Sequence, residues 1–390
     1  MKKLLAVLLL SLTLCGCGAQ TPPSQPTPPA ESQTEQTPVP PAQESPAPPA
    51  AEVIVTDPIE AILQNMTLPE KVGQLFFVRC PAQSAIEDIS IYHLGGYVLF
   101  GRDTKDKTAG ELIETIASYQ SAASIPLLIG VDEEGGTVVR VSSNPNLRSS
   151  RFRSPQKVFA AGGMEGIVAD TAEKDRLLKA MGFNVNLAPV ADLSTNPADF
   201  IYDRSFGQDA AATAEYIAAV TAQMRTDTVG SALKHFPGYG SNVDTHTGIA
   251  RDSRPLSQFM EEDFLPFRAG IEGGGNTASI LVSHNIMECV DADLPASLSP
   301  AVHALIRDEL GFDGVIMTDD LAMDAVAAYA KDGSSAVMAL QAGNDLIITG
   351  DYPTQIPKVI AAVQQGLISR EAIDSACRNV LQWKQALGLI

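Results

Sequence analysis

The segment Lys234-His-Phe-Pro-Gly-Tyr-Gly-Ser-Asn-Val-Asp-Thr-His246 places a lysine, two histidines and an aspartate within thirteen residues. Pro237, Gly238 and Gly240 mark it as a loop able to adopt backbone conformations closed to most residues. It ends in an Asp244-x-His246 pair. A carboxylate beside an imidazole fixes its tautomer and favours the imidazolium, as a proton-shuttling histidine requires. His235, His246 and Asp244 could also ligate zinc. No HExxH or CxxC spacing supports that, so neither a metal nor a cofactor is expected.

Other reactive side chains follow short apolar runs. Asp132-Glu-Glu-Gly-Gly136 follows Leu127–Val131, and Lys234-His235 follows Ser231–Leu233. His284-Asn285 follows Ile280–Ser283, and Asp319-Asp320 follows Val315–Thr318. Charges buried at one end of a sheet are costly unless they have partners or work. A single Asp or Asn at such a turn is an ordinary helix cap, but four polar ends together point to a site.

The runs themselves lack alternation, as parallel strands buried on both faces do. Tyr97–Phe100, Val185–Ala188 and Leu346–Ile348 complete seven, with helical stretches between them such as Ala211–Arg225, Pro300–Leu310 and Ile356–Gln365. Thr67-Leu-Pro-Glu70 reads as a capping box opening a helix. Seven strands alternating with helices predict an α/β fold, a (β/α)8 TIM-type barrel with one strand hidden, in a single catalytic domain over 56–390. A doubly wound open sheet is the alternative. Barrel chemistry sits at the C-terminal strand ends, where the polar residues lie.

The chain has 390 residues, 27 Lys+Arg against 46 Asp+Glu, and a formal charge of −19. That balance excludes nucleic-acid binding, which rests on basic side chains, and a basic face for anionic lipid. Residues 1–16 read as a signal segment: Lys2 and Lys3, an apolar run from Leu4 to Leu14, then Gly16-Cys17. Cys17 is the expected lipidation site, so the protein is expected outside the cytoplasm, lipid-anchored to a bacterial cell membrane. Residues 17–55 form a spacer in which positions 21–50 carry 11 of the 26 prolines and no Lys or Arg, favouring extended, unfolded chain. Cys80, Cys289 and Cys377 are expected as buried apolar residues rather than disulfide partners.

The run KHFPGYGSNVDTHTGIA, with VDEEGG before it and GFDGVIMTDDLAMDAV after it, resembles glycoside hydrolase family 3. Within that family it is similar to the NagZ-type β-N-acetylglucosaminidases, from about Asp57 to Ile390. The resemblance implies a retaining double displacement, with Asp319 as nucleophile, His246 as acid/base and Asp244 holding it. It also implies that Asp132, Arg204, Lys234 and His235 hold the sugar and that Met323 lies against it. Asp320 is expected to cap a helix, Arg204 and Lys234 could instead serve in ion pairs, and His284 could be catalytic or structural. Tyr239 departs from many relatives, which have His there.

The implied activity is release of terminal β-linked N-acetylglucosamine from peptidoglycan fragments or chitin-like oligosaccharides. The partners are then glycans, with the membrane met through the anchor alone and no obligate protein partner. Water is the expected acceptor, although an imidazole acid/base also admits phosphate. A β-glucosidase or β-xylosidase would share Asp319 without needing the Asp244–His246 loop. A non-catalytic sugar-binding lipoprotein would need neither.

Overall fold

The computed structural model describes residues 57–242, 250–323, 326, 328–330 and 334–390. Seven parallel strands form one sheet in chain order: β1 Phe77–Arg79, β2 Gly96–Leu99, β3 Leu128–Val131, β4 Val185–Asn186, β5 Gly230–Phe236, β6 Ala278–Val282 and β7 Val315–Thr318. The sheet closes on itself through residues 346–348. Thr318 N donates to Leu346 O at 3.1 Å, and Phe77 N donates to Ile347 O at 2.9 Å. The barrel is therefore eight-stranded, with the eighth segment joined by isolated bridges at Leu346 and Ile347.

The hidden strand is β1. It is three residues long and begins only three residues after the helix Leu68–Gln74, too short to show a period of its own. Thr67 and Glu70 form the expected capping box at that helix. Strands β2 and β3 are buried along their whole length, as a sheet covered by helices requires. Phe77 fills the space over Gly130, where an added Cβ would come within 2.3 Å of the Phe77 ring. Outside, Arg370–Ala386 is capped by Ser369 and buries Ile373, Cys377, Val380 and Trp383. No helix of the described residues is long and apolar enough to cross a membrane.

Of the three cysteines expected in the interior, Cys80 and Cys377 are buried and Cys289 is exposed. Cys289 stands just past the two-residue strand Ile286–Met287, which pairs with Arg251–Asp252 away from the barrel, so its side chain is not covered by the helical layer.

Asp175, on the helix Pro155–Ala180, is fully buried, and among the described residues neither carboxylate oxygen receives a hydrogen bond. Burial, reinforced by the charge of Asp227, pushes its carboxyl up to about 8. The folded state then binds a proton that the unfolded chain releases near pH 4, so stability is lost as pH rises from about 4 to about 8. Asp175→Asn is expected to match wild type near pH 4. By pH 8 it should be more stable by at least about 2 kcal/mol, each pKa unit being worth about 1.36 kcal/mol. Urea melts at pH 4, 6 and 8 check this, and an equal offset at all three would contradict it.

Candidate active site

The C-terminal ends of the barrel strands surround an open cavity of about 770 Å³. Arg79 reaches it from β1, Phe100 from β2, Asp132 and Arg140 from beyond β3, Lys234 and His235 from β5, and Asp319 and Asp320 from β7. Arg204 completes the wall from the segment following β4.

A buried ion network forms one side. Lys234, 3 % exposed, donates through Nζ to Asp132 Oδ1 at 2.8 Å and lies 2.7 Å from Glu134 Oε1. Arg204 grips Glu134 with two contacts, Nε to Oε2 at 3.0 Å and Nη2 to Oε1 at 2.8 Å. Such paired donors fix the guanidinium plane as well as its charge. Burial opposes ionisation of Glu134, yet Arg204 and then Lys234 hold its carboxyl far below the usual range. Burial likewise opposes the Lys234 charge, and Asp132 and Glu134 outweigh it, raising the ammonium above its ordinary value. Lys234 and Arg204 thus make ion pairs and line the cavity at once.

His235 is fixed on both ring nitrogens. Its Nδ1 donates to Asp192 Oδ2 at 2.7 Å, and its Nε2 faces Arg204 Nη2 at 3.1 Å. Asp192, 1 % exposed, also accepts from His235 N at 3.0 Å and Tyr239 N at 2.7 Å. The Tyr239 ring stands edge-on to His235 with centroids 5.1 Å apart. One aspartate therefore ties the end of β5 to the start of the following loop.

Asp319 begins where β7 ends, its N–H donating to Val282 O at 2.9 Å. Its Oδ1 accepts from Asp320 N at 2.8 Å. Among the described residues no cation pairs with it, whereas Asp132 and Glu134 each have two and Asp320 has one. Burial would raise the Asp319 carboxyl; the fields of His284 and His235, the Asp320 N–H and Lys234 together hold it below the ordinary value. The carboxylate is thus anionic at neutral pH, and among the described residues no hydrogen bond to Oδ2 is seen.

Asp320 turns away from it. Its Oδ1 accepts from Ala322 N at 2.9 Å, closing a turn at the strand end, and its other oxygen meets Arg79. Arg79 also stacks on Phe100 at 4.8 Å. His284 is wholly buried, with Nε2 donating to Asp320 O at 3.0 Å and Nδ1 2.7 Å from Ser297 Oγ, so it supports the turn that follows β7. Met323 is 7 % exposed in the next turn, its N–H donating to Asp320 O, and it is not part of the cavity wall. Asp244, His246 and Cys17 lie outside the described residues. Among the described residues no group of three or more His, Cys, Asp or Glu is arranged to hold a metal ion.

Glu134, Asp192, Arg79 and Arg140 were not singled out from sequence. Glu134 stands in the acidic run after β3, the visible signal. Asp192 follows its strand by six residues, and Arg79 ends the strand that was hidden. Arg140 is placed by Glu133, whose carboxylate accepts from the N–H groups of Arg140 at 2.8 Å, Val141 at 2.7 Å and Ser142 at 3.1 Å.

Residues 67–383 match the Glycosyl hydrolase family 3 N terminal domain. A beta-hexosaminidase from Nitrosomonas eutropha is 32% identical over 302 residues, covering 75% of this chain and 83% of that protein. Beta-hexosaminidase LpqI from Mycobacterium tuberculosis is 31% identical over 329 residues, 81% of this chain and 82% of that one. Among solved structures, a glycoside hydrolase family 3 beta-N-acetylglucosaminidase from Paenibacillus sp. superposes with a TM-score of 0.77 at 31% identity. That superposition covers 83% of this chain, which spans 63% of the Paenibacillus protein.

Proposed function

Because the chain belongs to glycoside hydrolase family 3, we propose that its cavity hydrolyses terminal β-linked N-acetylglucosamine with retention, making it a β-N-acetylhexosaminidase. The observation that carries this reading is Asp319, the cavity carboxylate that among the described residues has no ion-pair partner and one oxygen to spare.

In the first step Asp319 Oδ2 attacks the anomeric carbon. The glycosidic C–O bond breaks, and the departing oxygen takes a proton from His246. In the second step His246, now neutral, removes a proton from water. The resulting hydroxide displaces the aspartate from carbon, restoring the carboxylate and the imidazolium. Asp132, Lys234 and Arg204 present charged donors and acceptors to the sugar hydroxyls, and His235 keeps Arg204 in register. Asp244 supports the His246 charge.

The substrates are N-acetylglucosamine-ended fragments of peptidoglycan or chitin-like chains, met outside the cytoplasm by an enzyme tethered through lipid on Cys17. The signal-like start, Gly16-Cys17 and the proline-rich spacer support that placement. Labelled fatty acid should enter the wild type and not Cys17→Ala.

The function is tested on aryl β-glycosides. Turnover of the N-acetylglucosaminide should exceed that of the glucoside and xyloside by at least ~10²-fold, a discrimination expected of a site that hydrogen-bonds a substrate group. A preference for glucoside or xyloside would overturn the reading. His246→Ala should lose ~10²-fold or more on a phenyl leaving group and far less on dinitrophenyl, which departs without a proton. Equal losses would remove His246 from the acid role.

A further inference from the structure

The segment that contains Asp244 and His246 is described on both sides. Upstream, Gly238 N donates to His235 O at 2.8 Å and Asn242 N to Tyr239 O at 3.0 Å, two consecutive turns. Gly238 has φ 118° and Gly240 has φ 53°, values in the left-handed region that glycine adopts freely. Downstream, Arg251–Asp252 pairs in parallel with Ile286–Met287, and Ile286 N donates to Ala250 O at 2.8 Å.

Arg254 lies where the two sides meet. Its Nη1 donates to Asp263 Oδ2 at 2.7 Å, its Nη2 to Asp252 Oδ2 at 2.8 Å and its Nε to Asp252 Oδ1 at 3.0 Å. The guanidinium stacks on Phe259 at 4.3 Å. Asp252 and Asp263 are almost wholly buried. Asn242 Nδ2, on the upstream side, donates to the same Asp252 Oδ2 at 2.8 Å. The upstream turns lie flat against this cluster. A Cβ at Gly240 would come 2.8 Å from Arg254 Nη2, and one at Gly238 would come 2.4 Å from Asp263 Oδ1.

A buried ion cluster is weak evidence for stability, since desolvation offsets most of the attraction; what it secures is geometry. We propose that the Arg254–Asp252–Asp263 cluster, bridged to Asn242, is the positioning device of the acid/base. It clamps residue 242 to residue 252, so the chain on either side of the nine intervening residues is held at fixed points. The inference rests on His246 being the acid/base. Arg254 is thus a positioning residue that acts through the loop.

The test uses the full-length protein with Arg254→Gln, which removes the shared cation, and Asn242→Ala, which removes only the bridge. kcat/KM is measured on phenyl and dinitrophenyl β-N-acetylglucosaminides. Arg254→Gln should lose ~10²-fold on the phenyl substrate and under ~5-fold on dinitrophenyl, and Asn242→Ala should show the same asymmetry at ~10-fold. A general structural role would lower both substrates alike, and that result overturns the proposal. If Arg254→Gln fails to fold, Asn242→Ala decides: wild-type values, or equal losses, reject the clamp. His246→Ala runs alongside. Asymmetry there without asymmetry in the other two rejects the clamp alone. No asymmetry in His246→Ala rejects the acid/base reading and the clamp with it.

Discussion

Asp319→Asn reduces turnover of an aryl β-N-acetylglucosaminide by at least ~10⁴-fold and leaves the fold intact, the loss expected when a group that forms the covalent intermediate is removed. The amide has nearly the shape of the carboxylate and its carbonyl oxygen still accepts from Asp320 N, a contact of 2.8 Å in the wild type. What it lacks is the negative charge and the ability to form a glycosyl ester. Because no cation pairs with Asp319 among the described residues, neutralising it leaves no buried charge exposed. The denaturation midpoint should therefore stay within about 1 kcal/mol of wild type. The depressed carboxyl also sets a pH expectation. Asp319 stays ionised well into the acidic range, so any loss of kcat/KM between pH 5 and 6 belongs to another group. Turnover of the Asn variant comparable with wild type would place the nucleophile elsewhere.

Glu134→Ala produces the largest expected loss of stability, about 3–5 kcal/mol, the range seen when one member of a buried ion pair is deleted. Its carboxylate is the shared counter-ion of Arg204 and Lys234, and both cations are largely buried. Lys234 keeps Asp132, but Arg204 loses both of its carboxylate contacts and is left facing His235 Nε2. The sign of its pH dependence follows from the depressed carboxyl. The stabilisation is present above the unfolded value near 4.5 and is lost as pH falls toward the folded one. The gap between wild type and variant in urea should therefore narrow as the solution is acidified below pH 4. KM should rise as well, since Lys234 and Arg204 line the cavity. A midpoint within 1 kcal/mol of wild type at pH 7 would show that the network is dispensable.

Much of the barrel was legible because its strands are short, apolar and bounded by helices with clear signals. Val315–Thr318 was read to the residue, and Gly230–Phe236 is longer than its apolar run because Lys234 and His235 continue the strand. That extension explains why two polar residues could be buried there: each finds acids supplied by neighbouring strand ends. Phe77–Arg79 escaped notice because three residues beside a helix carry no periodicity of their own, and Arg79 was missed with it. In the site, Asp319, Lys234, Arg204 and Asp132 were recognisable from their motifs. The pairing of Asp192 with His235 was not, since it joins residues 43 positions apart through a loop with no regular pattern. His284 could be read either way from sequence. Its contacts with Asp320 O and Ser297 decide for support.

Arg254 shows the same limit from another direction. Its three contacts go to Asp252 and Asp263, both downstream of the loop, and nothing in the run Arg251-Asp-Ser-Arg254 announces that Asn242, on the upstream side, will share Asp252. Long-range polar contacts are set by where the chain returns, and only the folded structure reports that.

The most direct measurement is to incubate the wild-type enzyme with a fluorinated N-acetylglucosaminyl donor that forms the intermediate faster than it is released, digest it, and sequence the labelled peptide by mass spectrometry. The account predicts a single adduct of one sugar, on Asp319, which disappears in Asp319→Asn. A sugar attached to any other side chain, or inactivation with none attached, would contradict it.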